Sequence, residues 1–89
     1  MLICVYILAC ADRTFYTGIT SNLKRRLWEH QNGFSSFTKG RLPINLVYYE
    51  AVEGRVAARR REVLIKDMSQ KKKQVLINKF TSSVSEKRR

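Results

Sequence analysis

The stretch Leu2–Cys10, LICVYILAC, constrains this chain more than any other feature. It carries no charge and is rich in β-branched and aromatic side chains, so it reads as a strand buried on both faces, or nearly so. Such a strand needs neighbours, and the sequence supplies the first at once. Ala11-Asp12-Arg13-Thr14 is short and polar, Phe15–Ile19 reads as a second strand, and the two predict an antiparallel hairpin. The chain has 89 residues, 44% of them hydrophobic, which suits one domain with one modest core. No apolar run approaches the roughly 20 residues that a membrane-spanning helix requires.

Thr20-Ser21-Asn22 is a cluster of helix-capping residues, so a helix is predicted to start there, with Leu23, Leu27 and Trp28 as its apolar stripe and Gly33 as its stop. Arg26 and His30, four apart, share one face of it. Residues 33–45 form a long polar loop, of a length that is usually functional or mobile. Leu46–Glu50 reads as a third strand. Gly54 precedes a second helix over about 55–68, whose apolar face is expected from Val56, Val63, Leu64 and Met68. Arg59, Arg60 and Arg61 are consecutive, so at least one of them points sideways or inward. Ser69 could cap a third helix with Val75, Leu76 and Phe80 on its core side, although Lys71, Lys72 and Lys73 have the wrong sign for a helix N-terminus. The expected fold is α+β: a small three-stranded, mostly antiparallel sheet flanked by helices, in the order β-β-α-β-α-α. Residues 1–80 make the domain, and 81–89 are expected to be a basic, flexible tail.

Eighteen Lys and Arg oppose seven Asp and Glu, a formal charge of +11. A surface this basic repels itself unless it meets a polyanion, which makes nucleic acid the first partner to consider and an anionic membrane the second. The membrane reading needs a basic amphipathic helix with bulky apolar residues opposite the charge. Cys4 and Cys10 would lie about 20 Å apart along a strand, too far for a disulfide. They read as free thiols of a reducing compartment, the cytoplasm. There is no zinc-type Cys/His spacing.

Tyr6 falls in the middle of the first strand and Tyr16 on the second, with Gly18 two residues on. Arg26 and His30 share the first helix, and Glu62 lies on the second. These residues, in this order, resemble the GIY-YIG nuclease family. Its half-motifs stand here as Val5-Tyr6-Ile7 and Tyr16-Thr17-Gly18, with Val5 and Thr17 where the family has Gly and Ile. Asn22-Leu23-x-Arg25-Arg26-x-x-x-His30 is similar to its arginine helix, and Ala58-x-x-Arg61-Glu62-x-x-Ile65-Lys66 to its acidic helix. Thr38-Lys39-Gly40-Arg41-x-Pro43 and Leu46-Val47-Tyr48-x-Glu50 look like the small stand-alone bacterial subfamily of predicted endonucleases.

The resemblance covers residues 3–77 and implies divalent-metal-dependent cleavage of phosphodiester bonds in DNA, in repair or recombination. On this reading Glu62 holds Mg²⁺ or Mn²⁺ and Arg26 binds the scissile phosphate. Tyr6, Tyr16 and His30 position or activate the attacking water, with Tyr6 as general base and His30 helping to accept its proton. Gly18 and Asn22 serve the motif structurally, Gly18 by letting backbone pass close to substrate or to the first helix. Arg25, Lys39, Arg41, Lys66, Lys71, Lys72 and Lys73 are the candidates for contacting DNA. The partner is nucleic acid, with no membrane and no small-molecule cofactor.

Each residue also has a plainer reading. Tyr6 and Tyr16 suit core aromatics with a bonded hydroxyl. His30 suits a helix end. Glu62 suits an i,i+4 partner of Lys66 or a neighbour of Arg59, and Glu50 and Glu53 compete with it as carboxylates. A nucleic-acid-binding module with the same fold and little catalysis is the alternative function.

Overall fold

A computed structural model of the protein describes residues 1–87. The elements are β1 (Leu2–Cys10), β2 (Phe15–Thr20), α1 (Leu23–Gln31), β3 (Ile44–Glu53), α2 (Arg55–Lys66) and α3 (Gln70–Lys87), in the expected order β-β-α-β-α-α. The sheet runs β2-β1-β3 and is antiparallel at both pairings. The two-sided apolar run takes the centre because both of its faces can be covered there. Ile3, Val5 and Ile7 pack with Ala58 and Ile65 of α2 and Ile77 of α3. Tyr6, Leu8 and Cys10 face the other way, toward Leu23 and Leu27 of α1. The result is three layers, with α1 on one face of the sheet and α2 and α3 on the other.

β3 is longer than the expected 46–50 because it pairs along all of β1, from Leu2 opposite Glu53 to Cys10 opposite Ile44. Both cysteines are free thiols on β1. Among the described residues no helix is long and apolar enough to cross a membrane.

The termini of α1 follow from its sequence. The Asn22 side chain accepts the Arg25 N–H at 3.1 Å. At the other end the Gly33 N–H donates to the His30 carbonyl at 3.2 Å and the Phe34 N–H to the Glu29 carbonyl at 2.9 Å, with Gly33 at φ 78°. This is the Schellman arrangement, and its usual apolar contact is present: Trp28 stacks on Phe34 with ring centroids 5.5 Å apart. Trp28 is therefore 56% exposed and outside the buried stripe in which the sequence placed it.

α2 presents a face other than the expected one. Val56, Val63 and Leu64 are 68%, 51% and 53% exposed, whereas Ala58 and Ile65 are buried. The inward stripe is Ala58, Arg61, Glu62 and Ile65, an i, i+3, i+4, i+7 series whose two middle members are charged. Apolar periodicity points to the wrong side because polar residues occupy the packed one. Of the three consecutive arginines, Arg61 turns inward and donates from Nε to Glu50 at 2.7 Å.

Ser69 caps α3 as expected, accepting the Lys72 N–H at 3.2 Å. Ile77 is buried, Leu76 and Phe80 pack against the core, and Val75 is 50% exposed. The helix continues to Lys87, past residue 80 where a tail was expected to begin. Residues 81–87 contain neither Gly nor Pro to stop it, and Thr81 donates its hydroxyl to the Ile77 carbonyl within the helix at 3.0 Å. Arg88 and Arg89, the end of the expected tail, lie outside the described residues.

Candidate functional site

Tyr6 lies in β1 directly opposite Gly18 of β2. A Cβ built on Gly18 would stand 2.6 Å from the Tyr6 hydroxyl and 2.8 Å from Cζ. Glycine at 18 therefore makes room for the Tyr6 ring to lie across the neighbouring strand. This is a different use from the close passage of backbone to substrate or helix that the motif led one to expect. Tyr16, two residues before Gly18 on the same face, completes an aromatic cluster: its ring centroid is 6.2 Å from Tyr6, 5.0 Å from His30 and 5.1 Å from Phe37.

α1 brings Arg26 and His30 to this cluster on one face, as their spacing requires. His30 Nε2 is 3.0 Å from the Tyr6 hydroxyl, and its Nδ1 is 2.8 Å from Thr38 Oγ1. Burial holds the His30 pKa below its ordinary value, and the Arg26 charge pushes the same way against a smaller pull from Glu29. His30 is thus neutral at pH 7. Tyr6 is pushed up to about 12, first by burial and then by Tyr16, with Arg26 pulling it down and Glu62 holding it up. The Arg26 guanidinium donates to Glu29 at 3.0 Å. That bond, followed by its proximity to the Tyr6 and Tyr16 hydroxyls, raises its pKa above the ordinary arginine value.

Tyr6 is 1% exposed and His30 fully buried, so Tyr16, Arg26 and Glu62 make the accessible part of the site. Glu62 arrives from α2 on the inward stripe, near enough for its charge to act on Tyr6. Its carboxylate is 3.4 Å from the Lys66 ammonium, the i,i+4 pair of the plainer reading. The competing carboxylate Glu50 is engaged by Arg61 and by the Tyr48 hydroxyl.

Among the described residues no group of three or more His, Cys, Asp or Glu side chains is placed to hold a metal ion. One partly buried carboxylate suits a hard cation such as Mg²⁺ or Mn²⁺, which keeps several waters, and does not suit an ion caged by protein.

The expected DNA-contacting residues divide. Arg25 is exposed, 3.7 Å from Glu29, and Lys39 is exposed on the loop after α1. Lys66 is half-exposed beside Glu62. Lys71, Lys72 and Lys73 open α3, on the opposite layer from α1. Arg41 is the exception, being tied into the protein. It donates to Asp12 at 2.9 Å and to the Phe37 carbonyl, and its guanidinium lies 4.2 Å over the Phe37 ring. Asp12 in turn accepts from Thr14, so the β1–β2 turn and the loop after α1 are clamped together.

Three residues matter more in the structure than the sequence indicates. In the sequence Thr38 is only part of a loop motif, and the signal for Glu29 is its i,i+3 spacing to Arg26. Thr17 is 3% exposed, and its hydroxyl has no hydrogen-bond partner among the described residues.

Residues 2–75 match the family model described as the GIY-YIG catalytic domain. A UPF0213 protein of Natronomonas pharaonis is 46% identical over 74 residues, covering 82% of this chain and 87% of the relative. Another, from Clostridium perfringens, is 44% identical over 75 residues, covering 83% and 81%. The solution NMR structure of a UPF0213 protein from Bacillus halodurans superposes with a TM-score of 0.58 at 38% identity, covering 88% of this chain and 84% of that one. The chain belongs to the GIY-YIG family.

Proposed function

We propose that the protein is a divalent-metal-dependent endonuclease that cleaves phosphodiester bonds in DNA. The observation that carries this reading is the convergence on one phenol of charges from two layers: Arg26 of α1 and Glu62 of α2 both act on Tyr6, beside Tyr16 and His30. Phosphodiester cleavage builds negative charge on the non-bridging and leaving oxygens, and fixed cationic donors aimed at those oxygens lower the barrier.

Arg26 binds the phosphate. To do so it exchanges its bond to Glu29 for one to a phosphate oxygen, so Glu29 holds the guanidinium in place until substrate arrives. Tyr16, at the accessible edge, orients the attacking water, and Tyr6, as the phenolate left once its own proton has passed to solvent, takes the water's proton, supported from beneath by His30. Burial opposes ionisation of Tyr6, and Arg26 favours it. Glu62 would hold Mg²⁺ or Mn²⁺, which when bound supplies Lewis-acid stabilisation of the phosphate. Arg25, Lys39, Lys66 and Lys71–Lys73 supply phosphate contacts along the duplex. The two free thiols accord with a cytoplasmic setting.

One observation favours the second reading, a binding module with little catalysis: Arg26 and Glu62 are each ion-paired within the chain, to Glu29 and Lys66. The experiment that separates the two is nicking of supercoiled DNA by wild type and Glu62→Gln over a Mg²⁺ or Mn²⁺ titration, with gel shifts in EDTA. Gln keeps the size of the side chain but removes the charge a hard cation requires. The expected outcome is loss of nicking with binding retained or slightly tightened. Were Glu62 only the partner of Lys66, a pair worth about 0.3–0.5 kcal/mol, the variant would cut as fast as wild type.

A further inference from the structure

The geometry points to Thr38 as the residue that sets the tautomer of His30: it donates to Nδ1, so that His30 Nε2–H donates to the Tyr6 hydroxyl oxygen. This rests on the endonuclease reading for its consequence, though not for its test.

Tyr6, His30 and Thr38 form a linear chain, with 3.0 Å from the Tyr6 hydroxyl to Nε2 and 2.8 Å from Nδ1 to Thr38 Oγ1. A neutral imidazole carries one N–H, so the chain of donation runs in one of two directions. Either Thr38 donates to His30 and His30 to Tyr6, or Tyr6 donates to His30 and His30 to Thr38. In each case one hydroxyl proton is left over at an end of the chain, and the two ends are unequal. Thr38 is fully buried, and His30 is the one hydrogen-bond partner its hydroxyl has among the described residues. A proton left over there would be a buried, unmade hydrogen bond, which is the costly outcome. Tyr6 is itself 1% exposed, but its hydroxyl ends the chain beside the half-buried Tyr16, Arg26 and Glu62, at the edge of the site rather than beneath the loop that covers Thr38. The sealed end is therefore the donor, and the loose O–H belongs to Tyr6.

The consequence is a change in the part His30 plays. In this direction His30 gives a hydrogen bond to the Tyr6 oxygen and has no free lone pair to take its proton, in contrast to the helper role expected from the sequence. Tyr6 presents its own O–H to the site, and once that proton has gone to solvent its phenolate keeps an N–H donor beneath it. Thr38 acts through His30 and is a positioning residue.

His30 is the sole histidine of the 89-residue chain, so the imidazole ¹⁵N signals of that chain belong to it alone. Long-range ¹H–¹⁵N correlation at neutral pH, without metal or DNA, is expected to show a protonated Nε2 and a bare Nδ1 in wild type. A protonated Nδ1 overturns the proposal. Thr38→Val removes the donor and is expected to give a mixture of tautomers, whereas Thr38→Ser keeps the wild-type pattern. An unchanged single tautomer in a folded Thr38→Val also overturns the assignment to Thr38. If the Val variant does not fold, the wild-type and Thr38→Ser spectra still decide. In DNA nicking, Thr38→Val is expected to lower kcat about tenfold or more, the loss typical when the partner orienting a functional histidine is removed, with KM unchanged and with rescue by Thr38→Ser. Absence of nicking by wild type counts against the endonuclease reading and leaves the spectroscopic result standing.

Discussion

Gly18 and Thr17 are neighbours on β2 that point to opposite faces of the sheet, and each is explained by what lies over it. Gly18 gives its space to the Tyr6 ring. Thr17, opposite Ile7, faces the layer of α2 and α3, where its hydroxyl is buried without a partner among the described residues. The family motif has Ile at this position, so the hydroxyl is a departure with a cost. Replacing it with a methyl should return the desolvation penalty, and Thr17→Val is expected to stabilise the protein by about 1 kcal/mol. For a domain of this size that is a rise in Tm of about 4–8 °C, measurable by thermal denaturation. A fall in Tm would mean that the hydroxyl has a partner in solution. The sequence shows Thr17 as a departure, but its missing partner becomes visible only once α2 covers the strand. Tyr6, Tyr16, Arg26, His30 and Glu62 can be singled out together from the sequence because the motif fixes their order. Glu29 and Thr38 were not, since their importance lies in the atoms they touch.

Among the elements, α1 was read nearly to its ends because capping is local. Asn22 and Gly33 act on backbone groups within a few residues of themselves. The face of α2 is the opposite case. Which side packs depends on the sheet, and Arg61 and Glu62 sit on the packed side, Arg61 in a partly buried ion pair with Glu50. The Schellman turn after α1 also launches the loop that carries Thr38 back over His30. Gly33 at φ 78° has only the Lys39 stem within 4.0 Å of a built Cβ, so a substitution there meets backbone strain rather than a clash. Gly33→Ala is expected to cost about 1–2 kcal/mol in urea unfolding, and Gly33→Asn less, because Asn tolerates the left-handed region. Equal losses for the two would show that space rather than dihedral strain governs the position.

At the scale of the whole molecule, the +11 charge and the site serve different ends. Eighteen cationic residues make a field that attracts any polyanion and loses strength with salt. That much was legible from composition. Composition does not distinguish Arg26 from the other seventeen. Its place between two phenols and Glu29 does, together with the approach of Glu62 from the opposite layer. In the proposed nuclease this one guanidinium acts on the charge formed during cleavage while the rest of the surface holds the DNA. The direct measurement compares wild type with Arg26→Ala in nicking of supercoiled DNA with Mg²⁺ or Mn²⁺ and in DNA affinity by gel shift in EDTA. The expected result is a loss in rate of about 100-fold or more, typical of removing a donor aimed at transition-state charge, with affinity changed only a few-fold. Equal losses of rate and affinity would reduce Arg26 to an ordinary phosphate contact, and a wild type that cuts no DNA with either metal would overturn the endonuclease function itself.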